Sequence, residues 1–185
     1  SEILQLTKDG SWGGSLELIE EKTISAVSSA IFTDIKENVF DVHFLTLDNI
    51  TFSDDSKAVR FRFFESGVEE TASVYQEAQQ QMFTSAFAES RNTALDYIDA
   101  TFNTGNATNE SANAYHYFYN LGNSAKYSFT SGAINIINNS GIFGAFFGGG
   151  VLPQASTVDQ IKLFVSSGTF SGTAKLYGVK QIWVT

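Results

Sequence analysis

The sequence predicts an all-β fold, an antiparallel β-sandwich of jelly-roll type. Three observations predict it. Short runs alternate apolar with polar residues, as where Phe40, Val42 and Phe44 flank Asp41 and His43, which is the period of half-buried strands. The apolar share is strongly aromatic, with 17 Phe and 7 Tyr, and aromatic rings suit a pleated surface. Asn, Thr, Ser and 15 Gly fill the gaps between runs, where turns need them. A chain of 185 residues fits one domain that buries about 70% of its unfolded surface.

The elements follow in order. Residues 1–14 end in Gly13-Gly14 and carry Trp12; the indole marks them as an arm that docks, ahead of a domain over residues 15–185. Leu16 and Leu18 begin the first alternating run, and residues 24–32 form a second, small and β-branched. After the strand around Val42, the turn Asp54-Asp55-Ser56 leads into Val59, Phe61 and Phe63 alternating with Arg60 and Arg62. In residues 71–90, Tyr75, Ala78, Met82 and Ala86 fall near helical spacing around Gln79-Gln80-Gln81, so a helical turn or loop is expected there. Residues 95–100 alternate as a strand, and residues 103–113 read as an exposed polar loop.

Tyr115, Tyr117 and Tyr119 then alternate with His116 and Phe118, and Gly122-Asn123-Ser124 turns the chain toward Tyr127 and Phe129 as a hairpin. Residues 133–137 are apolar, and Phe143 to Phe147 reach Gly148-Gly149-Gly150. That triplet lacks the Lys-Ser/Thr of a phosphate loop, so close backbone approach explains it better. Two final runs meet at Ser166-Ser167-Gly168, a second expected hairpin.

Composition narrows function. Eleven basic against twenty acidic residues give a formal charge of −9, which repels phosphate backbones and anionic bilayers. Nucleic acid and membrane are therefore not expected as partners. The charge serves solubility, or a Glu-rich face aimed at a basic partner. With no Cys, disulfides, thiolate nucleophiles and Cys-bound metal are excluded. The start has no basic region followed by an apolar stretch, so no signal peptide is expected.

Catalysis finds little to build on. The histidines, His43 and His116, sit inside alternating runs. Asp41 shares a strand face with His43, which suits a dyad or a solvated face equally. Asp96 with Asp99, or Glu69 with Glu70, are candidate paired acids for glycoside hydrolysis, but on one strand Asp96 and Asp99 face opposite sides. Asp54 and Asp55 read as turn residues rather than calcium ligands. No Gly-x-Ser-x-Gly elbow is present. A non-enzyme without cofactor or metal is expected. The tyrosine row is the candidate binding feature, with Trp12: Tyr115, Tyr117 and Tyr119 either stack on sugars and protein partners from the solvent side or line the core or a subunit interface.

The wording of the last third carries a resemblance. Ala155-Ser156-Thr157-Val158-Asp159-Gln160-Ile161-Lys162-Leu163, followed by Gly172-Thr173-Ala174-Lys175-Leu176-Tyr177-Gly178-Val179, is similar to the closing segment of a family of tailed-phage virion structural proteins, frequent in cyanophages and other marine phages. Members also resemble C-terminal modules of phage tail fibres. Thr23-Ile24-Ser25-Ala26-Val27, Phe40-Asp41-Val42 and Tyr119-Asn120 agree with it. The resemblance implies a jelly-roll virion component, assembled in the host cytoplasm and commonly trimeric, on the capsid surface or in the tail's adhesion apparatus. It brings no catalytic residues. The expected partners are sister copies, another virion protein reached through residues 1–14, and host surface glycan if the chain is a receptor-binding module.

Overall fold

The computed structural model describes residues 15–180, so the arm, Trp12 and the last five residues lie outside the described part. Those residues form thirteen strands and no helix: β1 (Leu16–Val27), β2 (Ser29–Phe32), β3 (Val42–Phe52), β4 (Arg60–Glu65) and β5 (Val68–Glu69). They continue as β6 (Tyr75–Phe83), β7 (Phe87–Leu95), β8 (Ile98–Asp99) and β9 (Ala112–Tyr119). The last are β10 (Ser128–Ile137), β11 (Phe143–Leu152), β12 (Val158–Phe164) and β13 (Phe170–Val179).

All pairings are antiparallel, in two packed sheets. One runs β1-β13-β3-β9-β10-β11-β6-β7, the other β2-β12-β4-β5 with β8 also on β4. The late strand β13 inserts between β1 and β3, and its predecessor β12 between β2 and β4. This nesting of chain ends gives the jelly-roll wrap that the alternation predicts. Between the layers lies an aromatic core. Phe118 of the large sheet meets Phe61 and Phe63 of the small one edge-on, at centroid distances of 5.2 and 5.9 Å, the arrangement ring quadrupoles favour.

Four expectations are corrected. In β3 the faces are inverted, with His43 and Leu45 buried and Phe44 on the outer side. Residues 71–90 hold β6 and the start of β7, joined by a turn at 84–86, where a helical turn or loop is expected. In β6 the buried set is Tyr75, Glu77, Gln79 and Gln81, a strict period of two concealed because most of its inward residues are polar. Next, the runs joined at Ser166-Ser167-Gly168 are not a hairpin. β12 pairs with β2 and β4 while β13 pairs with β1 and β3, so this turn is an arch between sheets. Its local chemistry suits either geometry: Gly168 has φ +69°, and Ser53 Oγ accepts from the Thr169 N–H at 2.9 Å.

Residues 95–100, finally, do not form one strand. The chain leaves β7 at Leu95 and re-enters pairing as β8, so parity along them does not apply. The loop at 103–113 is exposed over residues 106–109, but Thr104 is buried and bridges to Lys57, and β9 has begun by Ala112. The hairpin after Tyr119 forms as expected, with Tyr119 opposite Phe129.

Candidate functional site

Two features stand out: the outer face of the large sheet and a polar pocket between the sheets. Register builds the first. Leu18, Tyr177, Phe44, Tyr117 and Ser131 lie side by side across β1, β13, β3, β9 and β10. Because their core-facing neighbours are residues such as Leu45, Leu176, Ala114 and Phe118, this row points to solvent. Phe44 is its hub, with ring centroids 4.7 Å from Tyr117, 6.0 Å from Tyr115 and 6.1 Å from Tyr177. Tyr117 stacks on Tyr119 at 6.5 Å.

The expected site residues Tyr115, Tyr117 and Tyr119 are thus brought together, on the solvent side and not in the core. Trp12 lies outside the described residues. The same face exposes Leu18, Phe129 and Phe147. An open groove of about 620 Å³ lies beside them, lined by Gln76, Arg91, Asn92, Phe129 and Val151 and floored by Gly149.

The opposite outer face, on the small sheet, is charged and internally paired. Arg62 binds the carboxylates of Asp96 and of Glu69, the latter at 3.1 Å. Lys162 grips Glu69 at 2.8 Å. Arg62 lies over Phe164 at 4.5 Å, and Arg60 over Tyr97 at 3.9 Å. These partners hold the Glu69 carboxyl below its usual range despite partial burial. Glu70 accepts instead from the Ala72 N–H, so Glu69 and Glu70 do not converge. Asp96 and Asp99 go to neighbouring arginines of one strand, Asp99 reaching Arg60 at 3.6 Å.

The polar pocket was not legible as a site in the sequence. Gly132 and Gly148 stand opposite one another on the inner face, in line with His116 on one side and Gln79 on the other. Both line a partly open cavity of about 20 Å³, together with Glu77, Ile98, Asp99 and Thr130. It is room for one water molecule and not for a sugar ring. β8 dips onto this floor, Ile98 filling the place that a Cβ on Gly150 would take.

Two buried side chains then clasp β8 and the residue after it to the large sheet. Glu77 Oε2 accepts from the Asp99 N–H at 2.6 Å, and the His116 Nε2–H donates to the Ala100 carbonyl at 2.8 Å. Glu77 Oε1 accepts from the Gln79 amide at 2.6 Å. Gln79 Oε1 and Thr130 Oγ1 have no hydrogen-bond partner.

Burial sets the protonation of this cluster. With Glu77 beside it, the buried Asp99 carboxyl is pushed up to about 7, against the pull of Arg60. Glu77 is raised by burial as well. Burial pushes His116 down to about 4, so its imidazole is neutral. His43 is lowered for the same reason; its Nε2–H donates to the Ile35 carbonyl at 2.7 Å while Nδ1 has no partner, so no dyad with Asp41 forms. Among the described residues no group of three or more His, Cys, Asp or Glu is placed to hold a metal.

No protein-family model matches this chain, and no curated protein is significantly similar to it.

Proposed function

We propose that this chain is a non-enzymatic structural component of a tailed-phage virion, and that the aromatic outer face of its eight-stranded sheet is its contact surface. One observation carries the contact surface: the Phe44-centred ring cluster faces solvent, with Tyr115 46% and Tyr119 36% exposed. Exposed rings this close together are what a partner surface covers. Sealing each of these half-exposed rings would contribute on the order of 1 kcal/mol, enough in concert to outweigh screened repulsion from a charge of −9. The charged face of the small sheet offers no such gain, since its arginines are already paired. The virion itself is supported by the resemblance over residues 16–179, and the jelly-roll wrap is the fold that resemblance implies. Mass spectrometry of purified particles tests the placement: peptides of this chain at stoichiometric yield support it, and their absence overturns it.

A second reading is favoured by the groove beside Phe129. Aromatic rings next to amide and guanidinium groups suit a sugar, whose apolar ring face stacks while its hydroxyls bond. On that reading the chain is a receptor-binding module for host glycan. Retention on a glycan array that falls about tenfold in Phe129→Ala or Asn92→Ala supports it; retention unchanged in both removes it.

A further inference from the structure

The end of the large sheet carries information beyond that reading. β7 is its last strand and is exposed along most of its length, with Phe87 80% accessible. A free edge presents unpaired N–H and C=O groups that template another strand. The other edges of the described residues are blunted. β2, β5 and β8 have four, two and two residues. β1 is broken by two register shifts, has Ala26 at φ 50°, and carries Glu17, Glu20 and Glu21 against Lys22. β7, in contrast, pairs with β6 without interruption from Phe87 to Asn92.

We infer that β7 pairs antiparallel with β7 of a second copy across a two-fold axis at Ser90. Two constraints choose the occupant and the register. A two-fold axis normal to the sheet keeps each side chain on its own face, so only pairings centred on a residue satisfy the pleat. A centre at 89 sets Glu89 against its own copy, and a centre at 91 sets Arg91 against its own. The centre at Ser90 puts Glu89 opposite Arg91 of the second copy, twice. These two side chains share the outer face, 3.3 Å apart within one chain and 64% and 81% exposed, so they are free to exchange partners across the axis. Like charges directly opposite repel and unlike ones attract. The backbone edge supplies the affinity and the Glu89–Arg91 pair supplies the register. The inference stands on β7 alone, whether or not the chain belongs to a virion, and gives a two-fold contact distinct from the trimer that the resemblance implies.

The absence of Cys makes the test direct. Residues opposite one another in an antiparallel pair lie within disulfide reach, whereas Ala88 and its own copy would be roughly 14 Å apart along the strands. Under mild oxidation Ser90→Cys is expected to form a covalent dimer. Ala88→Cys and Asn92→Cys are each expected to stay uncoupled alone and to couple when mixed. Light scattering at micromolar concentration should give twice the chain mass. Arg91→Glu should weaken the dimer by at least about tenfold, and the swap Glu89→Arg with Arg91→Glu should restore it. A monomer, a trimer, or equal cross-linking at all three positions would overturn the inference.

Discussion

Gly132 of β10 lies directly opposite Gly148 of β11, and both line the pocket between the sheets where the neighbouring strands come close. A Cβ on Gly132 would stand 2.1 Å from the Tyr115 carbonyl oxygen, and one on Gly148 2.3 Å from that of Ala78. Both obstacles are backbone, which cannot swing aside. Gly132→Ala and Gly148→Ala should each destabilise the fold by about 1–3 kcal/mol, read as a lower urea midpoint at unchanged slope. An unchanged midpoint would mean that the floor of the pocket can relax.

The clasp on β8 gives a second expectation. Glu77→Ala strips the Asp99 N–H and the Gln79 amide of their acceptor, and an unsatisfied buried donor costs about 1–3 kcal/mol. Hydrogen exchange at Asp99 should accelerate in this variant while amides of the β3–β13 pair keep their protection. Equal acceleration throughout would show that Glu77 does not hold β8 locally.

Protonation of the same cluster sets the pH dependence. Asp99, raised from 3.8 to about 7, binds its proton more tightly folded than unfolded, so the stability it contributes at low pH is lost as pH rises through about 7. Glu77, also raised, has the same sign. His116, lowered from 6.5 to about 4, acts oppositely: its contribution is present above 6.5 and lost as pH falls toward 4, and His43 joins it. The terms oppose one another between about pH 4 and 6.5, and above that the acid slope stands alone. Wild-type Tm should therefore fall from pH 6.5 to 8. Asp99→Asn should gain on the order of 2 kcal/mol at pH 8 relative to pH 5. A parallel fall in both proteins would contradict the assignment.

Core and surface aromatics should separate cleanly. Phe118→Ala removes a fully buried ring from between Phe61 and Phe63 and should cost about 3–5 kcal/mol. Tyr119→Ser, at a position 36% exposed on the outer face, should cost under about 1 kcal/mol. Chemical denaturation of the two variants side by side checks this. Comparable losses would mean that the outer rings are structural rather than available for contact.

Much of this was legible from alternation. The pattern at Phe61 and Phe63 named both the strand and its buried face, because a period of two is enforced wherever one face is buried. At Phe44 and through the Tyr115 row it named the strands alone: aromatic rings lie on the outer face while His43 and His116 face inward, so hydrophobicity did not tell the faces apart. Where the inward residues were polar the same rule was hidden: Glu77, Gln79 and Gln81 face the interior of β6, and only their spacing, not their chemistry, marks them as core. The pocket was illegible for a different reason. Gly132 and Gly148 line one cavity only once the β10–β11 register sets them opposite each other, and that register is a long-range fact. The arch at Gly168 failed for a similar reason, since one turn can join strands within a sheet or between sheets.

The central claim is that the outer face around Phe44 is covered in the working assembly. Hydroxyl-radical footprinting of the free chain and of intact particles tests it most directly. We predict that oxidation of Tyr115, Phe129 and Phe147 drops at least about fivefold on assembly, as burial at an interface core requires, while Tyr97, packed on Arg60 of the small sheet, changes little. Equal labelling of these rings in both states would contradict the claim.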